Sequence, residues 1–515
     1  MRKLFAILIS VVMLLAIGAT GSAELTLDTV LRPTAEDYPI DLSEHKTISI
    51  VLCGDTPEDF DMVLEYVNEY LTAEFNTTIE FTMVSWSDRG TVYPLMLTGG
   101  DKLDLVYDQA GFQLFQSAAT GYWYPLTEEF LSTYMPYSWQ YQSDVSWQQV
   151  TYNGQIIGVP QGIADAGGAT NLIAVRNDIM EKYGVTVIDT FEDLRQLWLA
   201  IAADTEETGL MAFNEEQVGG YAMNFYNQDK MSFTAGNTNN FNAIWNDGAV
   251  PAPEDIFYYY DSDHYAAGIH VMKELADAGV WSRSALSNHT SNYVAYSVGA
   301  SATGAFNGSI YWYANQLRDA TGLESTVFCL GRESGTPLVM CENYNQNTIC
   351  IFVDCEDKPR AAMILDVLKY DTEMNHALIG GLRDYHYTEP EPGVYEASEN
   401  AGGWQFNSFG IDWNIKNGSF MAVYTEPGRM DMHVWMQEVG SYNPCAAFVF
   451  DSEPVTAYKA SVEAVVEEYR YALNLGLVED IDATYAEFQS KLDEAGLQEY
   501  FDEYIRQYTE WYNAL

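Results

Sequence analysis

The chain has 515 residues, 48% of them hydrophobic, 14% aromatic and 19% charged. That mix describes a globular protein of two large lobes or three to four domains, and it excludes disorder and a collagen-like repeat. Lys and Arg number 24 against 74 Asp and Glu, a formal net charge of −50, which repels phosphate backbones and anionic lipid and argues against a nucleic-acid partner.

Met1-Arg-Lys is followed by Leu4 to Ile17, apolar apart from Ser10, and then by the small residues Gly18 to Ala23. Charged, apolar and small, in that order, is the pattern of a secretory signal peptide over 1–23, cut between Ala23 and Glu24. The apolar run of about 14 residues is short of the roughly 20 that span a bilayer. No Cys stands at its end, so a lipid-attachment site is missing. An exported protein is expected, extracellular, at the cell surface or periplasmic.

Thr47–Leu52 reads as a buried strand, and a helix from about Pro57 carries Phe60, Val63, Leu64, Val67 and Leu71 at three-and-four spacing. Strand Thr78–Val84, a helix over Val92–Leu97 and strand Leu103–Tyr107 follow. This βαβ run predicts a mostly parallel sheet, with ligands beyond the carboxyl ends of its strands, at Cys53–Asp55, Ser85–Asp88 and Asp108–Phe112. Thr151–Pro160 reads as a hairpin turning at Asn153-Gly154. Leu172–Arg176 opens a second αβ region, with a helix over Asn177–Tyr183 ended by Gly184. Another helix, Phe191–Ala203, is capped by Thr190 with Asp193 three residues on. From Thr456 to Leu515 the chain is helical, with stops at Gly476 and Gly496 and a cap at Asp482 or Thr484. There is no fixed-period repeat and no low-complexity linker.

Phosphate-loop, dinucleotide, HExxH and GxSxG signatures are absent, so no cofactor and no enzymatic nucleophile are expected. The seven His are scattered and no CxxC occurs, so no metal site is expected either. Asp480-Ile-Asp482 lacks the turn glycine of a calcium loop and reads as a helix N-terminus. Asp261 and Asp263 are the carboxylates to test for glycoside hydrolysis, though a solvated face is the reading favoured for them. Cys341, Cys350 and Cys355 are close enough for a disulfide. Cys53 and Cys350 nevertheless sit in apolar strands, which favours mostly free, buried thiols.

The order of several segments resembles the extracellular solute-binding proteins of family 1, the binding subunits of ABC importers, and within them a LipO-like oligosaccharide-binding branch. The segments are Val67–Leu71, Trp86, Leu95-Met-Leu-Thr-Gly-Gly-Asp101, Tyr122-Trp-Tyr-Pro-Leu126, Asn153–Pro160 and Arg176–Gly184, then Gly304–Gly308, Lys358–Leu365 and Lys491–Leu497. The likeness spans nearly the whole mature chain. It implies a two-lobe, type II-like α/β periplasmic-binding-protein fold with hinge strands and a helical C-terminal region. By segment order, lobe one is 24–157 plus 343–395 and lobe two 158–342 plus 396–515. It further implies a non-enzymatic, monomeric subunit that captures a carbohydrate, an oligosaccharide, in the inter-lobe cleft and delivers it to membrane permeases. A secreted glycoside hydrolase and a peptide-binding importer subunit are the alternatives.

Aromatic faces pack against the C–H faces of sugar rings while amides take hydroxyls. Aromatics and amides in polar loops at strand ends are therefore the candidate ligand residues: Trp86, Gln109, Phe112, Gln161, Asn307, Tyr311, Trp312, Tyr344, Asn345, Trp404, Asn407 and Trp413. Arg383-Asp384 reads as a surface ion pair.

Overall fold

The computed structural model describes residues 25, 29–100, 102–163, 170–216, 220–236, 240–390, 395–404, 410–417 and 428–515. The expected signal peptide and Asn407 lie outside them. In chain order the elements used below are β1 (Lys46–Cys53), α1 (Phe60–Phe75), β2 (Thr77–Val84), α2 (Arg89–Gly99), β3 (Leu105–Asp108), β4 (Leu172–Arg176), α3 (Phe191–Ala203), β5 (Met211–Phe213), β6 (Ser301–Phe306), α4 (Ile310–Thr321) and β7 (Ser325–Phe328). After them come β8 (Thr348–Ile351), α5 (Lys358–Tyr370), α6 (Gly410–Ile415), α7 (Thr456–Asn474), α8 (Ile481–Glu494) and α9 (Leu497–Tyr512).

The chain divides into two compact units, Met1–Ile163 with Tyr344–Val423 and Ala164–Asn343 with Tyr424–Leu515. In the first, the sheet runs β8-β3-β1-β2. β1 lies parallel to β2, from Lys46 opposite Thr77 to Cys53 opposite Val84, and parallel to β3. The returning strand β8 closes the sheet antiparallel, with Thr348 opposite Asp108. α1 buries Val63, Val67, Leu71 and Phe75, one stripe at the spacing read from the sequence.

α5 is buried from Arg360 to Tyr370, so its polar side chains need partners inside. Arg360 donates to the carbonyls of Phe75 and Asp41 and to Thr77 Oγ1. Asp366 accepts from the backbone N–H groups of Tyr137 and Ser138, from Ser138 Oγ and from Tyr38 Oη. Lys369 Nζ donates to the Pro160 carbonyl at 2.5 Å and the Asn414 carbonyl at 3.1 Å. Burial pushes the Asp366 carboxyl up to about 6 and the Lys369 ammonium down to about 7.

The described residues 396–404 and 410–417, expected in the second lobe, group with the first unit. The Gly403 carbonyl accepts from the Asp59 N–H, and Asn414 Nδ2 donates to the carbonyls of Val159 and Asn347. These long-range bonds cannot be read from segment order.

In the second unit a mixed sheet runs β7-β4-β6-β5. β6 is parallel to β5 and antiparallel to β4, which is antiparallel to β7. Ser232–Thr234, Phe241–Ile244 and Phe257–Tyr258 form a separate antiparallel sheet. α9 lays Leu497, Tyr500, Tyr504 and Tyr508 into the core, with Tyr504 stacked on Phe241 at 3.7 Å between ring centroids. The cap of α8 is Asp480, which accepts from Ala483 N–H, and not Asp482 or Thr484. Asp482 is in the first turn, where its charge suits the helix dipole. All six cysteines are free and buried.

Candidate functional site

The first unit's parallel strands end in the three loops named above, and two of them carry rings that meet. Trp86, just past β2, stacks on Phe112, past β3, at 6.0 Å and 29°. On Trp413, in α6, it stacks at 5.7 Å and 27°. Tyr107, the buried penultimate residue of β3, closes edge-on against Trp86 at 6.5 Å. Trp86 keeps 39% of its surface exposed and Phe112 54%. Large apolar faces left in water where parallel strands end make this cluster the candidate site of the first unit.

A charged group that the sequence reading missed underlies these rings. Arg89, the first residue of α2, is buried and pairs with the buried Asp108 at the end of β3. Its guanidinium lies 3.8 Å from the centroid of Phe112, 5.0 Å from Tyr93 and 6.0 Å from Trp86. Burial pushes the Asp108 carboxyl up to about 6, against the pull of Arg89 and of the Gln109 N–H.

The amides expected to take hydroxyls are bonded within the unit. Gln109 Nε2 donates to Tyr107 Oη and, at 3.2 Å, to Asn347 Oδ1. Asn347 Nδ2 donates to Gln161 Oε1, and Gln161 Nε2 donates to the Ile163 carbonyl. Tyr344 and Asn345 are held on Gln149 through the Tyr344 N–H and Asn345 Nδ2. In this structure these groups bond to one another and to the backbone of the first unit. Trp404 is 1% exposed and stacks on Phe60 at 6.4 Å, so it is a core ring with no face to offer a ligand. The reason is a long-range backbone bond: the Gly403 carbonyl accepts from the Asp59 N–H and draws the segment onto α1.

Asn307, Tyr311 and Trp312 lie in the second unit at the end of β6 and the start of α4. Asn307 Oδ1 accepts from Ser309 N–H, turning the chain into the helix. Tyr311 is buried, whereas Trp312 is 49% exposed and meets Tyr313 edge-on at 4.8 Å. Tyr313 contacts Tyr293 at 4.5 Å, and Tyr293 contacts Phe306 at 4.3 Å. These three rings come from separate segments, and no local pattern announces them.

The other acidic candidates are structural. Asp261 accepts from Gln489 Nε2 on the surface, and Asp263 opens a helix capped by Ser262. Arg383 pairs with Glu389 at 2.6 Å, not with Asp384. Among the described residues no group of His, Cys, Asp and Glu is placed to hold a metal ion, and no helix is long and apolar enough to cross a membrane.

Residues 444–513 match DUF3502, a domain of unknown function. No curated protein matches the chain in sequence. Solved structures resemble it over nearly their full length. The N-glycan transport solute binding protein NgtS from Streptococcus pneumoniae is 16% identical with a TM-score of 0.71, over 90% of this chain and 98% of that one. The HMO binding ABC-transporter associated solute binding protein from Bifidobacterium longum infantis is 14% identical with a TM-score of 0.63, over 90% and 98%. The S. pneumoniae ABC-transporter substrate binding protein FusA, in complex with kestose, is 14% identical with a TM-score of 0.59, over 92% and 100%. Each of these neighbours is named as a binding protein. The chain has the mixed α/β, two-lobe fold of the solute-binding proteins.

Proposed function

We propose that the chain is the extracellular sugar-binding subunit of an ABC importer and that it captures an oligosaccharide without altering it. The observation that carries this reading is the half-exposed ring platform of Trp86, Phe112 and Trp413 at the carboxyl ends of a parallel sheet. Such rings match the C–H faces of pyranose and furanose units. The structural neighbours support it, since their names speak of N-glycan, HMO and kestose binding. On this reading the protein is exported behind residues 1–23, acts as a monomer and presents its cargo to membrane permeases. The LipO-like oligosaccharide branch is where it belongs. Trp312, with Asn307 and Tyr311 beside it, is the second unit's candidate for ligand contact.

The test is calorimetric titration of the mature protein with neutral manno-, fructo- and gluco-oligosaccharides, followed by mass spectrometry of the recovered sugar. Saturable binding with intact sugar is expected. Shortened products would favour the glycoside hydrolase, and binding of peptides in place of sugars the peptide-importer alternative.

A further inference from the structure

Arg89 stands where stability alone would not put it. It is a cation in the first turn of a helix, where the backbone dipole is also positive. It is buried together with Asp108, and the pair is incompletely satisfied: Arg89 Nη1 and Asp108 Oδ2 are buried without a hydrogen-bond partner. Buried ion pairs of this kind are generally no more stabilising than apolar residues of the same size. The guanidinium does have ring contacts that an aliphatic side chain cannot reproduce, at 3.8 Å from the Phe112 centroid, 5.0 Å from Tyr93 and 6.0 Å from Trp86. Phe112 is 54% exposed, and besides Arg89 its ring meets Trp86 at 6.0 Å.

We infer that Arg89, fixed by Asp108, is a positioning residue for ligand stacking: its planar cation is the floor on which Phe112 and, through it, Trp86 are held in place to receive an uncharged sugar ring. The inference rests on the sugar-binding reading. The chemistry is specific to the guanidinium, because a planar, delocalised cation stacks on an aromatic face while an ammonium does not present a plane. It also bears on ligand class. Arg89 is already neutralised by Asp108, and the ring faces carry negative quadrupole potential, so this platform suits a neutral sugar over a uronate.

Two readouts test it, one of them independent of any sugar. The stacked Trp86–Trp413 pair gives an exciton-coupled circular dichroism signal, which reports platform order in the unliganded protein. Arg89→Lys, and Arg89→Met combined with Asp108→Asn, are each compared with wild type and with Trp86→Ala. The probes are kestose, Man5GlcNAc and glucuronic-acid oligosaccharides. Both Arg89 variants should keep the wild-type melting temperature to within a few degrees, weaken the dichroism, and bind the neutral probes about five- to tenfold less tightly. The uronate probe should bind more weakly than the neutral ones. Wild-type dichroism and affinity in Arg89→Lys would overturn the positioning role, and preferential uronate binding would overturn the ligand class. Should none of the probes bind wild type, the sugar-binding reading fails, while the dichroism still decides whether Arg89 orders the rings.

Discussion

Two tryptophans from the same candidate set have opposite fates, and the difference is measurable. Trp86 is half-exposed, whereas Trp404 is sealed against Phe60. Trp86→Ala should weaken sugar binding on the order of 30-fold, equivalent to about 2 kcal/mol for a stacking ring, and leave the melting temperature nearly unchanged. Trp404→Ala should cost roughly 3–5 kcal/mol of stability as a large core truncation, with binding per folded molecule preserved. Calorimetry beside thermal melts separates the two, and the reverse assignment would contradict the site. Sequence could nominate both rings, because both sit in glycine- or serine-bounded loops. It could not choose between them, because the choice is made by Asp59 and Phe60, more than 300 positions away.

Buried ionisable groups also predict how stability follows pH. Burial raises Asp108 and Asp366 to about 6 and Glu215 to about 7. Unfolded carboxyls release their protons near pH 4, so between about 4 and 7 the native chain holds protons that the unfolded chain has lost. Stability therefore falls as pH rises through that window. Lys369 has the opposite sign. Its folded value of about 7 lies below the ordinary 10.5, so above about 7 the unfolded chain binds the extra proton and stability recovers. Urea unfolding should show a lower midpoint at about pH 7 than at about 5, with recovery toward about 9. Lys369→Met should flatten the alkaline recovery. A midpoint that climbs steadily from acid to neutral pH would show that these groups do not govern the linkage.

At the scale of elements, what was legible is what local chemistry decides. The α3 start shows the full reciprocal capping box, with Thr190 Oγ1 accepting from Asp193 N–H and the Asp193 carboxylate accepting from Thr190 N–H. Thr190→Ala should cost about 1 kcal/mol, read as a shift in the unfolding midpoint. The Asn153-Gly154 hairpin has both turn residues at positive φ, as its two-residue connection requires. Gly496 combines φ +89° with a site where an added Cβ would lie 2.3 Å from the Tyr458 ring. Gly496→Ala should therefore destabilise α9 against α7 beyond the ordinary left-handed penalty, whereas Gly279→Ala, equally left-handed but in open space, should cost less. Equal losses at the two sites would remove the packing argument. Less legible were β8, whose antiparallel return is set by pairing across 240 residues, and the grouping of residues 396–404 and 410–417 with the first unit.

At the scale of the molecule, the α/β sheet was readable from the βαβ periodicity and the two-lobe fold from the family resemblance that the order of segments carries, and the solved neighbours bear the fold out. The candidate site was only half readable. Trp86, Phe112 and Trp413 were nominated separately, and the structure stacks them. Arg89 carries no local signal in the sequence, because the partner that buries it, Asp108, stands 19 residues on at the end of β3. Tyr293, Phe306 and Tyr313 form a cluster whose members are brought together only by the second unit's fold. The central claim is that an oligosaccharide is held, intact, on the Trp86 platform. A crystal structure of the mature protein soaked with its tightest-binding neutral oligosaccharide tests it most directly. The account predicts an uncleaved sugar with one ring face against Trp86 or Phe112; sugar bound away from these rings, or a hydrolysed product in their place, would contradict it.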